Sequence, residues 1–425
     1  MSLLLKNAKI IDPEGGTVQD GAVLVEKGKI KELVYGGTPD LKAKEVVDCG
    51  GKYLAPGIID IGVKIGEPGE RHKESFASAG VAAAAGGVTT MVIRSDTEPA
   101  VDGPEALEFI KRRAQTDCAV NVLPMAALTR GREGREMAEL GFLQDAGAVA
   151  FSDGDQVITD NKIFARCLTY AKGLDALVIT HAQEPSFSKG ATATSGPLAT
   201  KLGLPAVSPM AERLQLQRDM TLAEMTGTRI HVDQVSTRVA LPVLERAKAK
   251  GLPVTAGASI HHLTLNENDI EGYPTFFKLK PPLRHEDDRI ALAEAVANGT
   301  IDIISSMHTP QDEESKRLPF EEAASGAVAL ETLLPAAMQL VHAELMDLPT
   351  LWRAMSTNPA KLLSLSSGRM SENAPADLVL FDPDKPFILD RTLLNSKSKN
   401  TPFDGRRMQG KVIATYLNGK EVYRA

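Results

Sequence analysis

Histidine and cysteine are the side chains best suited to hold a metal ion or move a proton near neutral pH. The chain has 8 histidines and 3 cysteines. Cys49, Cys118 and Cys167 stand far apart. They form neither a disulfide framework nor a zinc knuckle, so a reducing cytoplasm is the expected compartment. Cys167 falls on an apolar helix face and is read as core. His72, His285 and His342 lie in polar or helical contexts and carry no assignable chemistry. His181, His231, His261, His262 and His308 lie in or just after short apolar runs, as does Asp153. Such side chains can act together only if those runs are strands whose ends converge.

The runs have the spacing that convergence needs. They cover residues 57–61, 89–93, 119–127, 148–151, 177–180, 229–232, 253–256 and 301–305. Helical stretches fall between them at residues 74–85, 105–113, 163–172, 211–225, 239–250 and 289–298. Eight runs with intervening helices over about 300 residues predict a (β/α)8 barrel. A doubly wound sheet is the alternative, and eight repeats suit closure better. In a barrel the chemistry sits at the C-terminal ends of the strands. Both termini read differently, as short strands with tight turns: residues 3–11, 21–27, 29–34 and 46–53, then 376–382, 410–418 and 420–423. Neither end has enough strands for its own sheet, so one small β-sandwich from both ends is predicted. The divisions are 1–55, 56–367 and 368–425. Residues 186–205 read as a long mobile loop over the barrel mouth, and residues 311–316 as a solvated loop or a lid.

Composition limits the function classes. The 425 residues include 48 Lys+Arg and 55 Asp+Glu, a formal charge of −7. This mild acidity offers no footprint for nucleic acid or an anionic membrane. With 43% hydrophobic and 24% charged residues, the chain supports a sizeable core. No run of about 18 apolar residues is present to span a membrane. The opening Met1-Ser2-Leu3-Leu4-Leu5-Lys6 lacks the apolar core of a signal peptide.

The first barrel run continues as Pro56-Gly-Ile-Ile-Asp-Ile-Gly-Val-Lys-Ile-Gly-Glu-Pro-Gly69. Here the chain resembles dihydroorotase, an amidohydrolase of pyrimidine biosynthesis, whose pattern is Pro-Gly-x-Ile-Asp-x-His-x-His-x-Arg-Glu-Pro-Gly. The resemblance extends along Lys73-Glu74, Gly86-Gly87-Val88-Thr89-Thr90, Phe151-Ser152-Asp153 and Thr180-His181-Ala182-Gln183-Glu184. His231-Val232-Asp233-Gln234-Val235-Ser236-Thr237, His261-His262-Leu263, Pro281-Pro282-Leu283-Arg284 and His308-Thr309-Pro310 follow in register. Asn358-Pro359-Ala360, Ala376-Asp377-Leu378-Val379 and Asn400-Thr401-Pro402-Phe403 close it.

The resemblance implies a two-zinc hydrolase in which the metals activate a hydroxide and polarise the ring amide. A strand-end Asp shuttles the proton, and an Arg and an Asn grip the substrate carboxylate. This chain departs from that set. The two first-strand His positions are Gly62 and Lys64, and the gripping Arg is Gly66. Asp96 stands where an amide would bond the substrate, and Lys280 where the second Asn is expected. The His before Val-Ser-Thr is Gln234, a poor zinc ligand. The proton-shuttle position is Met307, which cannot transfer a proton. Of six metal or proton-transfer positions, Asp153 and His181 remain. A four-ligand zinc site is worth roughly 10–16 kcal/mol, so two ligands leave about 5–8 kcal/mol in proportion. No zinc is therefore expected at cellular concentrations. His308 is read as a relic with no partner, His261-His262 as structural, and His231 as facing away from Gln234 by strand periodicity.

The resemblance implies a non-enzymatic role, as a structural subunit holding aspartate carbamoyltransferase together, with no cofactor and a homo-oligomeric state expected. An active cyclic amidohydrolase with an atypical or single-metal zinc site is the alternative, and a small-molecule sensor using the old pocket is a third. Two structural expectations follow. Lys64 should reach Asp153 and compensate its charge, so that Lys64→Ala destabilises more than a surface change. The only Trp, Trp352, either anchors a partner or seals barrel against sandwich.

Overall fold

In the computed structural model, which describes residues 2–37 and 41–425, the two chain ends share one eight-stranded sheet. The N-terminal strands Ser2–Asp12, Thr17–Glu26 and Lys29–Tyr35 pair in sequence, with Glu45–Asp48 and Tyr53–Pro56 alongside the first. Tyr53–Pro56 then pairs antiparallel with Leu378–Asp382, which continues into Lys411–Leu417 and Lys420–Arg424. The edge strand Lys29–Tyr35 returns to the segment leading into Leu378–Asp382: Ile30 N donates to Ala374 O and Ala376 N to Gly28 O, both at 2.9 Å. The result is the sandwich. Its core collects Leu3, Leu5, Ala8, Ile10, Val25 and Ile30 with Leu378, Leu380 and Tyr416. Leu3 and Leu5 share a face with Ala8 and Ile10 because the register shifts between Leu5 and Ala8, where Asn7 adopts φ 55°. The bulge re-phases the side-chain alternation.

Alternation on Leu378–Asp382 also joins the two domains. Leu378 and Leu380 enter the sandwich core, whereas Val379 and Phe381 enter the barrel core. Trp352 stacks on Phe381 with ring centroids 4.6 Å apart, and its indole N–H donates to Pro56 O at 2.9 Å. It is fully buried, so it seals barrel against sandwich and is no anchor for a partner.

The barrel strands are Ile58–Val63, Val88–Ile93, Asn121–Pro124, Leu177–Thr180, Arg229–Val232, Val254–Ser259 and Ile303–Ser305, in parallel pairs. The fourth strand is reduced to bridges at Phe151, with Ala126 on one side and Val178 on the other. It is short because Gly147, at φ 106°, precedes it and Gly154, at φ 62°, follows it. Closure between first and last strands is made by Asp60, whose carboxylate accepts Ser306 N at 2.8 Å and also Ser306 Oγ. Lys64 N donating to His308 O at 2.8 Å extends the seam. The helix predicted at 74–85 begins at Phe76, because Ser75 and Ser78 form a capping box.

Residues 186–205 are not an open loop. They carry the short strand Ala193–Thr194, paired with Ala206–Val207, and the helix Pro197–Leu202. Buried Thr194 donates to Leu283 O at 2.9 Å and ties the segment down.

Candidate functional site at the barrel mouth

Strand ends bring the expected residues to one mouth, but their pairing differs from the expectation. Lys64, at the end of the first strand, lies 3.4 Å from Glu70 and 3.5 Å from Asp96. It does not pair with Asp153. That carboxylate accepts Leu128 N at 2.9 Å, Thr129 N at 3.0 Å and the Thr129 hydroxyl. Local backbone donors meet the need that an ammonium was expected to meet. Burial still pushes the Asp153 carboxyl above its ordinary value, against the Thr129 and Leu128 hydrogen bonds.

Asp96 is held as tightly. Arg94 chelates it through Nε at 3.0 Å and Nη2 at 2.8 Å. Burial opposes the Arg94 charge, but Asp96, Asp155 and Asp233 outweigh it and raise its pKa. Asp155 links the other side: Lys280 Nζ reaches it at 2.8 Å and Arg132 Nη2 at 3.1 Å. Burial disfavours its charge, yet Arg94 and Lys280 prevail and hold its carboxyl well below the usual range. Arg94, Arg132, Asp155, Asp233 and Glu70 were all missed in the sequence. Arg94 was findable, since it is the first polar residue after the second barrel run and so stands at a strand end.

Gly62 and Met307 are one steric unit. A Cβ on Gly62 would lie 2.7 Å from Met307 Sδ, and Gly62 adopts φ +95°. Met307 itself has φ 48° and is 6% exposed. A side chain at position 62 would have to displace the flexible thioether end of Met307 and adopt a φ that L residues rarely take. Gly66 is closed as well, because a Cβ there would meet Glu70 O at 2.2 Å. Gln234 is buried just beyond the sixth strand.

The buried histidines divide into satisfied and open. His308 Nδ1 accepts Ala329 N at 3.0 Å, which places its proton on Nε2, 3.5 Å from Glu74. Its Nδ1 therefore has a backbone partner, contrary to the relic reading, while its Nε2 lies within ion-pair reach of Glu74 without a hydrogen bond. Burial opposes the Glu74 charge, but His308, Ser396 and Ser78 lower its pKa. His231 Nδ1 meets Thr255 Oγ1 at 2.9 Å, away from Gln234, and burial pushes its pKa down to about 4. His181 Nδ1 meets Asp233 Oδ1 at 3.2 Å, while its Nε2 is buried without a partner. Among the described residues His261 Nε2, His262 Nδ1 and His308 Nε2 are also buried without a hydrogen-bond partner. The orphan nitrogen of His181, on a ring oriented by a carboxylate, is suited to a metal. The rest of the donor set is not. An ammonium at 64, a bare glycine at 62, an amide at 234 and a guanidinium at 94 face the mouth positions. Among the described residues no group of three or more His, Cys, Asp and Glu is placed to hold a metal ion. These residues do not fit a zinc pair. A cavity of about 620 Å³ opens beside Lys280 and Asp155, walled by residues 188–192.

Comparison with known proteins matches this architecture. Residues 51–240 match the family model described as Dihydro-orotase-like. A dihydroorotase of Geotalea daltonii is 36% identical over 424 residues, covering 100% of both chains. One of Geobacter metallireducens is 37% identical over 424 residues, again covering 100% of both. Among solved structures, an L-hydantoinase (dihydropyrimidinase) from Arthrobacter aurescens superposes with TM-score 0.90. It is 23% identical, covering 99% of this chain and 96% of that one, which is a likeness of fold: a barrel with a β-sandwich. Among the described residues no helix is long and apolar enough to cross a membrane.

Proposed function

Because the chain belongs to the dihydroorotase-like family, we propose that it is a member without hydrolase activity, retained as a structural partner of aspartate carbamoyltransferase. The observation that carries the first half is Met307 packed against Gly62. The proton-shuttle position holds a thioether, and the first-strand position beside it is a glycine in a left-handed backbone conformation that disfavours a ligand side chain. Around it Lys64, Arg94, Arg132 and Lys280 already neutralise Asp96 and Asp155. Each of these two carboxylates already has two cationic partners, so a dication finds neither of them free. The second half is supported by the lineage: a barrel kept with its framework and without its chemistry is retained for its surface.

An active dihydroorotase is the competing reading. It is favoured by the name of the relatives and by the free His181 Nε2. One experiment separates the two. Purified protein is assayed for metal content and dihydroorotase turnover, then co-expressed with aspartate carbamoyltransferase and sized. The expected result is near-zero zinc, no turnover and co-migration. Near two zinc per chain with turnover, or a transferase that assembles and works equally well alone, sinks the proposal. Gly62→His with Lys64→His is expected to restore nothing. The new imidazole must displace Met307 from a strained backbone position, and no proton shuttle exists, a contribution typically worth roughly 10²–10⁴ in rate.

A further inference from the structure

A second cavity, of about 330 Å³, lies beside the segment after the eighth barrel strand. This is at the small end of the range for ligand sites. Its wall carries the cations Lys316, Arg391, Lys397 and Lys399 and the carboxylates Asp312 and Glu313. With Lys316 protonated and His72, also on the wall, neutral, four minus two leaves a charge of +2. Both carboxylates are engaged elsewhere. Glu313 pairs with Arg317 at 2.8 Å, and Asp312 accepts Ser315 N at 2.7 Å, with His72 Nε2 3.8 Å away. Arg391 shares Asp404 at 3.3 Å.

The three ammoniums donate hydrogen bonds only to backbone carbonyls, although Lys399 also feels the charge of Glu331. Lys316 Nζ donates to Thr275 O at 2.9 Å, Lys397 to Arg71 O at 2.9 Å and Lys399 to Ser396 O at 2.7 Å. Lys316 is 3% exposed. A buried ammonium with no counter-charge is costly. Burial, and then the charge of Lys278, push its pKa down to about 7. Lys278 is itself turned to Glu321 O at 2.7 Å. On the same wall Gln311 Nε2 donates to Ser325 O at 2.8 Å, which fixes the amide orientation and leaves Oε1 buried without a donor.

We propose that this cavity binds a small phosphate-bearing anion, with Lys316 as its counter-charge and Gln311 Oε1 accepting a ligand O–H. A dianion supplies the counter-charge that Lys316 lacks and adds charge-assisted hydrogen bonds from the other two ammoniums. Hydrogen phosphate carries its own O–H, and a phosphate ester of a sugar carries hydroxyls. Sulfate has the charge and no proton, so it leaves Gln311 Oε1 unsatisfied. The site is separate from the barrel mouth and does not depend on the function proposed above.

The test is calorimetric titration of the whole protein at pH 7 with inorganic phosphate, ribose 5-phosphate and sulfate in turn. Saturable binding of phosphate or the ester is expected, about tenfold or more tighter than sulfate. Tighter ribose 5-phosphate identifies an ester ligand and tighter inorganic phosphate the free ion; both sustain the site. Lys316→Met keeps the apolar stem and is expected to weaken binding about tenfold or more, while raising the thermal midpoint of the ligand-free protein. Gln311→Met should leave sulfate binding unchanged and bring phosphate to within about twofold of it. No saturable binding of phosphate or ester up to about 10 mM overturns the proposal. So do sulfate binding as tight as phosphate and an unchanged affinity in Lys316→Met.

Discussion

The barrel mouth and the barrel frame are both rich in buried charge, and they spend it differently. In the frame, one carboxylate gathers donors from distant segments. Glu212 accepts Ser236 N and Thr237 N at 2.9 Å each, Gln183 Nε2 at 3.0 Å, and both hydroxyls. Arg284 stands 3.6 Å from it and bonds Ser236 Oγ at 3.0 Å and Thr194 Oγ1 at 3.2 Å. Asp60 does the same across the closing seam. In the mouth, Asp153 apart, charges pair side chain to side chain and in duplicate: Asp96 with Arg94 and Lys64, Asp155 with Lys280 and Arg132. A frame carboxylate therefore holds the topology, whereas a mouth charge has a stand-in. This explains how a mouth can lose residue types that its family resemblance leads one to expect while the fold persists.

The largest difference should come from Arg284→Ala, which removes the cation beside the fully buried Glu212 and leaves it only neutral hydrogen-bond donors. Leaving an unpaired buried charge typically destabilises by about 3–5 kcal/mol, read as a drop in the denaturant midpoint. A loss no greater than that of a surface variant would end the distinction between frame and mouth.

Asp60 adds a pH signature to the frame. Burial raises its carboxyl to about 6, against the Ser306 hydrogen bonds that lower it. The folded state therefore holds this proton more tightly than the unfolded chain. Its contribution is fully present below about pH 4 and is lost as pH rises through about 6. Wild-type stability relative to Asp60→Asn should fall over that window by on the order of 2–3 kcal/mol. A flat difference curve between pH 4 and 7 would show that Asp60 stays ionised throughout.

Trp352→Phe keeps an aromatic ring against Phe381 and removes the donor to Pro56 O. A buried acceptor left bare predicts a loss of about 1–3 kcal/mol, measured by thermal or chemical unfolding. An unchanged midpoint would mean that stacking alone joins the domains.

The smallest effect belongs to Lys64→Ala. Asp96 keeps Arg94 and Glu70 keeps Lys73, so the loss should stay below about 1 kcal/mol. This reverses the expectation drawn from a Lys64–Asp153 pair. A loss above about 2 kcal/mol would restore Lys64 to the frame.

The barrel was legible because strand and helix periods are local. Residues 177–180 and 229–232 recur as strands with the same bounds, since four consecutive inward or covered positions need no distant information. The ladder at 119–127 shrank to Asn121–Pro124, because strand length depends on the neighbour, and here the fourth strand is cut short by glycines. At the mouth, the positions Gly62, Lys64, Asp96, Asp153, His181, Gln234, Lys280 and Met307 could be named from motif register alone. Their partners could not.

Sequence alone determined the element order, the shared terminal sheet and the residue types at the strand ends, because those follow from side-chain period and chain order. Only the tertiary structure decided which charges meet. Arg94 and Asp96 are two residues apart and could pair locally, but Lys64 reaching Asp96, Lys280 reaching Asp155 and Met307 packing against Gly62 join strands far apart in the chain. Pairing energy falls with distance in space, and that distance exists only once the barrel has closed.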